Sequence, residues 1–329
     1  MAILSSEAAP DRSHRSPGRW AGLGIALFAA YVLVMALLPL SVNHATLSLL
    51  YLVLYFVLLS CGWNILSGFT GYINFGYVVF VGVGMYASAI LISEAHAPWY
   101  AGVALGGIVS ALYAGILGVP LLRLKGPYFA IVTLAISEGT RVIIGSTYLS
   151  PLTRGGAGIS LFTNVTLQAQ YYTMLAFVVV AVATTFFIAN SRRGLRLLAI
   201  GQDERAAENL GVNTTLAKVI AFVLSAFFAG LAGGLHATFV SYVDPVSGFD
   251  INFTVTPMIM TVFGGISTVL GPVFGATVLE FLNNYIWLHV LQLNLAVFGL
   301  ILVILILFLP RGVVQWLKDQ GWLPKTRAL

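Results

Sequence analysis

Charged residues are scarce in this chain of 329 residues. Asp, Glu, Lys and Arg together make up 8% of it, whereas soluble domains usually carry about 25%. The mean hydropathy is +0.95, so a globule of this composition would be poorly solvated in water. The net charge of +5 does not indicate nucleic-acid binding, because the few basic residues lie mostly at segment ends and in loops. These scarcities exclude an ordinary soluble domain and a nucleic-acid-binding protein.

Cysteine and the usual catalytic motifs are also lacking. Cys61 is the single cysteine, which excludes a disulfide within the chain. There is no Gly-x4-Gly-Lys-Ser/Thr loop for binding ATP phosphates, the histidines never pair at metal-ligand spacing, and no nucleophile–base set is visible. We therefore predict no catalytic residue, no metal and no cofactor in this chain. The string of membrane carboxylates typical of a proton relay is missing too, which weakens a secondary transporter without excluding it.

Long apolar runs are what the chain has instead. About 20 apolar residues cross the hydrocarbon layer as a helix, and such runs recur along almost the whole sequence. The candidate spans are 20–40, 46–66, 74–93, 99–121, 127–146, 169–189, 217–240, 253–270, 272–290 and 292–310. The predicted fold class is an all-α polytopic membrane protein with about ten transmembrane helices, and eight to ten are compatible with the pattern.

The distribution of positive charge predicts the orientation. Arg12, Arg15 and Arg19 precede the first span, and short positive segments face the cytoplasm. Ten crossings from a cytoplasmic N-terminus place the polar segment 190–218 and the basic C-terminal tail on that same side. The predicted organisation is a cytoplasmic tail at 1–19, a transmembrane domain at 20–310 that includes loop 190–218, and a cytoplasmic tail at 311–329.

Two glycine-rich stretches, Ser67–Ala87 and Phe263–Ala276, interrupt the apolar pattern. Non-helical backbone at membrane depth survives only where protein or a water-filled cavity satisfies it. Gly82 and Gly84 superficially match a dinucleotide fingerprint, but they lie within a membrane helix rather than after a strand, so we discard that match. The pattern leaves open whether residues 253–290 cross fully or re-enter.

Ionisable residues inside the spans are expensive in lipid and therefore informative. Glu138 and Arg141 are three residues apart, hence on one face of a helix. A structural ion pair is the favoured interpretation, and a polar face on the permeation path is the alternative. Glu280 has no local partner in the sequence, so it needs one from another helix or lies near water.

The segment 190–218 is a polar island between apolar runs, and it cannot lie in lipid. Within it, Asp203–Leu210 is predicted to form a short helix with alanines in its middle. Gly211 fits the C′ position, where a left-handed residue ends a helix. A solvated charged loop is the competing interpretation, but the next span begins almost immediately at Lys218. That proximity favours a braced helix that docks on a partner.

The residues of this island and of three other stretches carry a family resemblance. Ala199–Ala237 resembles the cytoplasmic coupling segment and following helix of branched-chain amino acid ABC-transporter permeases of the LivM type. Gly68–Ile90, Lys125–Ala135 and Met260–Ala276 match the same family in order. The resemblance covers most of residues 46–310, and the combination of stretches is specific where any one alone would be only suggestive.

This resemblance implies partners and site residues. It implies a second permease subunit of the LivH type, two cytoplasmic ATPases that bind ATP and Mg, and a periplasmic solute-binding protein. The residues that it implies dock on an ATPase are Asp203, Glu204, Ala206, Ala207 and Gly211. Those expected on the translocation path or its helix contacts are Asn74, Gly76, Gly82, Gly84, Gly264 and Gly265.

The function implied is that of a membrane-spanning subunit of an ATP-driven importer in the bacterial inner membrane. It would translocate leucine, isoleucine and valine, and it would not be an enzyme, because hydrolysis occurs in the partner ATPases. Relatives of the same architecture carry urea or short amides, so a permease for those solutes is the first alternative. A stand-alone carrier or channel and a membrane enzyme are the more distant ones.

Overall fold

The computed structural model describes residues 17–124, 126–289, 299, 312–314 and 320. Its longer helices are α1 (Pro17–Leu37), α2 (His44–Trp63), α3 (Val78–Glu94), α4 (Trp99–Leu121), α5 (Pro127–Ile144), α7 (Leu167–Ala189), α8 (Arg192–Gln202), α10 (Thr214–Val240), α12 (Asn252–Gly264) and α13 (Gly271–His289). Its short elements are α6 (Ser150–Thr153), α9 (Glu204–Asn209), α11 (Pro245–Gly248), β1 (Ile159–Ser160) and β2 (Tyr242–Val243).

Apolar helices dominate the described part of the chain, which confirms the prediction of an all-α polytopic membrane protein. Within that part, six helical segments are long and apolar enough to cross a membrane, and two shorter apolar helices accompany them. The predicted span 292–310 lies outside the described residues apart from residue 299, as do most of the two predicted tails. The count of ten therefore stays a prediction.

Helix α10 forms the centre of the bundle with α3 and α4. Close approach requires glycine here: a Cβ on Gly84 would lie 2.4 Å from the carbonyl oxygen of Gly230, and one on Gly106 would lie 2.7 Å from that of Gly84. Small residues let backbones meet in lipid, where dispersion rather than the hydrophobic effect holds helices together. The spacing of Gly102 from Gly106 and of Gly230 from Gly234 thus serves helix packing.

A second packing centre is α2, which contacts α7, α10, α12 and α13. It ends in a π turn at Asn64–Gly68. The Asn64 side chain donates to the carbonyl of Thr268 at 2.9 Å and accepts from the amide of Ser267 at 3.1 Å. These bonds fix the turn between α12 and α13 beside the end of α2.

The hairpin of α12 and α13 occupies most of the two predicted spans 253–270 and 272–290. Its turn contacts Gly68, whose neighbours Phe69 and Thr70 pack against Gly201 in α8. The turn therefore reaches the end of the bundle that carries α8 and α9, named here the α8–α9 end. The incoming limb is one crossing broken into α11 and α12, Pro245–Gly264. Helix α13, Gly271–His289, follows this turn as the second limb of the hairpin.

The predicted span 74–93 begins too early. Helix α3 starts at Val78, and residues 71–77 form a polar turn instead. Asn74 organises this turn, because its Oδ1 accepts from the amide of Gly76 at 3.0 Å while its own carbonyl accepts from the indole of Trp63 at 3.2 Å. Side-chain competition for backbone groups disfavours helix at such residues.

The opposite end of the bundle, named here the β1–β2 end, contains a small departure from the all-α prediction. Ile159 and Ser160 pair antiparallel with Val243 and Tyr242, respectively. Beside them Arg154 forms an ion pair with Glu94, Nη2 to Oε1, at 3.0 Å. These contacts join the loop after α5 to the ends of α3 and α10.

Candidate coupling site and solute path

Helix α8 is a feature of the polar island that the sequence analysis missed. Ser191 caps it by accepting from the amide of Gly194 at 3.3 Å, and Leu197 and Ile200 are buried on one face. A Cβ at Gly194 would lie 2.0 Å from the carbonyl oxygen of Ile188, so only glycine fits at the start of this helix. The Ser cap and the apolar pair three residues apart were the local signals that could have revealed this helix.

Helix α9 begins at the aspartate that the sequence analysis selected. The Oδ1 of Asp203 accepts from the amides of Arg205 at 2.9 Å and Ala206 at 3.1 Å. A carboxylate at this position satisfies two otherwise unpaired amides and complements the positive end of the helix dipole. Asp203 therefore sets the start of α9.

The end of α9 is a Schellman motif built on Gly211. The amide of Val212 donates to the carbonyl of Ala207 at 3.1 Å, and the amide of Gly211 donates to that of Glu208 at 2.9 Å. Gly211 has φ +80°, and a Cβ added to it would meet no heavy atom within 4 Å. The left-handed backbone rather than lack of space explains this glycine.

The structure divides the five predicted docking residues between two faces. Asp203, Ala206 and Gly211 are exposed. Ala207 is buried, and the side chain of Glu204 is 12% exposed because it turns toward the bundle. Both inward residues pack within the chain, whereas the other three face outward; the docking role of all five stays a prediction. Leu210 is 84% exposed at the tip of α9, an apolar side chain that the sequence analysis did not select.

Glu204 meets Lys218 in a buried ion pair. Lys218 Nζ lies 2.6 Å from Glu204 Oε1, 2.8 Å from the carbonyl oxygen of Leu122 and 3.1 Å from the hydroxyl of Tyr72. The hydroxyl of Tyr72 in turn donates to Glu204 Oε2. All three ammonium protons thus have acceptors, as a lysine buried to 2% exposure requires.

Tyr72 is suited to its position as a donor between the two charges. Burial, its hydrogen bond to Glu204 and the negative charges of Glu204 and Glu208 raise the pKa of the Tyr72 hydroxyl above its ordinary value. The phenol consequently stays protonated and keeps donating to the carboxylate. Its ring also lies 4.4 Å from Lys218 Nζ, within reach of a cation–π interaction.

This network joins α9 to three other parts of the bundle. Lys218 belongs to α10, Leu122 follows α4, and Tyr72 lies in the turn before α3. Because α3, α4 and α10 form the packing centre, the network ties α9 directly to that centre. From the sequence, Lys218 was recognisable only as the start of a span, since partners 14, 96 and 146 residues away leave no local signal.

The residues predicted for the translocation path are buried in helix contacts. A Cβ at Gly76 would lie 2.0 Å from the carbonyl oxygen of Thr133, and one at Gly82 would lie 2.6 Å from the ring of Phe249. Gly84 meets Gly230, as described above. These three glycines therefore support close packing, and their place on the translocation path stays a prediction.

The remaining predicted path residues are buried as well. A Cβ at Gly264 would lie 1.8 Å from the carbonyl oxygen of Gly271, while Gly265 adopts φ +131° at the end of α12. Asn74 is 1% exposed and orders the turn before α3. All six residues take part in local packing or turn contacts, and their role on the translocation path stays a prediction.

Glu138 and Arg141 are brought together on α5. Arg141 Nε donates to Glu138 Oε2 at 2.9 Å, and its Nη2 contacts Oε1. Their side chains are 59% and 32% exposed, respectively. The pair therefore lies on the outer face of a membrane-spanning helix rather than in the core of the chain.

Comparison with known proteins identifies the family. The family described as "Branched-chain amino acid transport system / permease component" matches residues 45–309. The chain belongs to this family. The matched region runs from the start of α2 beyond α13, so it includes α8, α9 and the Glu204–Lys218 ion pair.

Curated relatives of this branched-chain permease family cover most of the chain. It is 26% identical to the high-affinity branched-chain amino acid transport system permease protein LivM of Salmonella typhimurium, over 92% of this chain and 78% of the relative. It is 26% identical to LivM of Escherichia coli, over 89% and 76%. It is 24% identical to the permease protein LivH of Salmonella typhimurium, over 79% and 91%. No solved structure matches the chain.

Two buried ionisable residues of this permease, His236 and Glu280, lie outside the hydrogen-bonded network of Glu204, Lys218 and Tyr72. His236 stacks on Tyr55 with ring centroids 4.4 Å apart, inside an aromatic cluster that also includes Tyr51. Glu280 is 5% exposed on α13. Among the described residues no group of three His, Cys, Asp or Glu side chains could hold a metal ion.

Proposed function

We propose that this chain is one membrane subunit of an ATP-driven importer for branched-chain amino acids. A second permease of the LivH type, two cytoplasmic ATPases and a periplasmic solute-binding protein complete the importer. ATP and Mg bind to the ATPases, and this chain performs no chemistry of its own. The observation that carries the proposal is α9, an exposed helix whose base is tied into the membrane bundle by Glu204 and Lys218.

The α8–α9 end is then the cytoplasmic end in the bacterial inner membrane, with both termini on that side. The exposed residues Arg205 and Ala206 of α9, together with Leu210 directly after it, form the surface that meets an ATPase. Small alanine side chains allow close approach, and Leu210 supplies an apolar anchor of the kind that dominates protein interfaces. Closure of the ATPase pair moves α9, and the buried ion pair transmits this movement to α3, α4 and α10.

The relatives support leucine, isoleucine and valine as the solutes, since LivM and LivH are named for branched-chain amino acid transport. Weak contacts suffice along such a path, because tight binding would slow release. Urea or a short amide is the alternative cargo for a permease of this architecture.

Affinity purification from native membranes in mild detergent tests the assembly. We expect two ATPases and a second permease to co-purify with this chain. The complex, reconstituted in proteoliposomes with its binding protein, should accumulate labelled leucine in an ATP-dependent manner and should not accumulate urea. A partner-free chain that transports without ATP would contradict the proposal, and uptake of urea in place of leucine would reassign the solute.

A further inference from the structure

Helix α5 is the least buried of the six described segments that are long and apolar enough to cross a membrane. Of the residues in its most apolar stretch, 22% are buried, against 39–67% in the other five segments of sufficient length. It packs against α3, α4 and α11. Its exposed side includes Ile131, Leu134, Glu138 and Val142, which recur at helical spacing along one stripe.

Charge distinguishes this stripe from other exposed faces of the bundle. The exposed large side chains of α4 are apolar, for example Ile108, Leu112 and Ile116. On α5 the apolar stripe is interrupted by Glu138 and Arg141. Charged side chains on the lipid-facing surface of a membrane helix are costly and therefore rare. The α4 face is suited to lipid, whereas the α5 stripe is suited to an aqueous path.

The position of the pair along the helix agrees with such a path. Glu138 lies six residues before the end of α5 at Ile144, about 9 Å at 1.5 Å per residue. That end of α5 adjoins the β1–β2 end, where Gly145 packs against Pro245. The charges therefore lie in the half of the bundle that, under the proposed function, receives solute from the binding protein.

We infer that Glu138 and Arg141 form a transient site for the charged groups of an α-amino acid zwitterion. This inference rests on the proposed function and adds the residues that meet the solute. The guanidinium of Arg141 donates hydrogen bonds to the solute carboxylate in place of the carboxylate of Glu138, and Glu138 accepts hydrogen bonds from the solute ammonium group. Leu134 and Val142, one turn away on either side, provide apolar surface for the branched side chain.

The chemistry of the two groups suits this exchange. Arginine presents a planar fork that matches a carboxylate, and a carboxylate accepts strong hydrogen bonds from an ammonium group. The Glu138–Arg141 pair neutralises itself when the path is empty, so no uncompensated charge remains. When solute binds, the hydrogen bonds between Glu138 and Arg141 are exchanged for hydrogen bonds of the same kind to the solute. The net gain in free energy is therefore small, so the solute binds weakly and is released quickly.

The decisive variant removes both charges together. In the complete importer in proteoliposomes, we expect Glu138→Gln with Arg141→Gln to lower leucine uptake at least about tenfold, the usual scale for losing charge-assisted hydrogen bonds. Assembly with the partner subunits and basal ATP hydrolysis should be retained. If the pair is only structural, the double neutral variant keeps its uptake within about twofold of wild type, and that result overturns the inference.

A cysteine accessibility experiment tests the aqueous path independently of uptake. Ala135 is exposed on α5 one turn before Glu138, and Leu112 is 63% exposed on α4. In a background of Cys61→Ser, we expect a membrane-impermeant cationic thiol reagent to modify Ala135→Cys in the complex and to spare Leu112→Cys. Absence of modification at both positions would overturn the inference. Failure of the wild-type importer to take up leucine would instead reject the proposed function.

Discussion

Lys218 Nζ and Glu204 Oε1 lie 2.6 Å apart, with the two side chains 2% and 12% exposed. The pair joins Glu204, the first residue of α9, to Lys218 in α10. The segment between them contains the rest of α9. A buried ion pair contributes little net stability compared with apolar packing, but breaking one partner is costly. Its value here is mechanical, because it fixes the base of α9 to the membrane bundle.

The first prediction concerns Lys218→Met. Removing the ammonium leaves Glu204 charged and buried, which we expect to destabilise the α8–α9 end by about 3–5 kcal/mol. Leucine accumulated per ATP hydrolysed should fall. Stability is measured on the purified complex by thermal unfolding. The ratio of leucine accumulated to ATP hydrolysed is measured by parallel uptake and ATPase assays. Arg123→Gln, an exposed basic residue at the same end, is the matched control and should leave both quantities near wild type.

A double-mutant cycle separates the interaction from the two side chains. Glu204→Gln combined with Lys218→Met removes both charges, so the double variant should be more stable than the sum of the single losses predicts. Losses that simply add would mean that the two charges do not interact in the complex.

The second prediction concerns Gly211, whose φ is +80°. Gly211→Val should cost about 1–2 kcal/mol, because a β-branched residue is strained in the left-handed region. Uptake and ATPase stimulation should both decline. Gly211→Asn should retain most function, since asparagine tolerates this conformation. Gly156→Val is the control, as Gly156 has open space and no positive φ. Equal behaviour of Val and Asn at position 211 would refute the cap interpretation.

The outcome at α9 shows which features were predictable from sequence. Its start at Asp203 and its end at Gly211 are determined by caps that act over a few residues, so local chemistry indicated both. The partner of Glu204 was not predictable, because Lys218, Leu122 and Tyr72 converge only after α3, α4 and α10 have packed. The packing contacts of the glycines were equally hidden, because Thr133 and Phe249, which lie against Gly76 and Gly82, are distant in the sequence.

The helix boundaries follow the same division. The span predicted at 99–121 coincides with α4, Trp99–Leu121, where the apolar run is uninterrupted. The span predicted at 253–270 corresponds to α12, Asn252–Gly264, and a turn held by Asn64. Hydropathy cannot reveal this turn, because the side chain that satisfies its backbone comes from a helix about 200 residues earlier.

The third prediction tests the packing role of Gly84. An added Cβ would lie 2.4 Å from the backbone of Gly230, so α3 and α10 must separate. We expect Gly84→Ala to lower stability by about 1–3 kcal/mol. Gly115→Ala on α4 is the matched control: its Cβ would meet nothing closer than 3.8 Å, and alanine is the better helix former. Thermal unfolding of the two variants in detergent makes the comparison, and equal melting temperatures would contradict the packing role.

The fourth prediction concerns Asp244, which caps α11 at the β1–β2 end. Its Oδ1 accepts from the amides of Val246 at 2.9 Å and Ser247 at 3.1 Å. Partial burial by itself raises the pKa of Asp244, but hydrogen bonds from the Ser247 hydroxyl and from backbone amides outweigh it and lower the pKa below its ordinary value. The ionised form is therefore the one that stabilises the folded chain.

A carboxyl group whose pKa is lowered on folding contributes stability above its unfolded pKa and loses it as the pH falls through the folded value. Asp244→Ala should thus reduce stability by about 1 kcal/mol at neutral pH, the typical cost of losing a cap. This difference from wild type should shrink on acidification below the ordinary aspartate pKa of about 3.9. Melting temperatures of both proteins across that range provide the measurement. A difference that stays constant or grows in acid would show that the charge of Asp244 does not stabilise the cap.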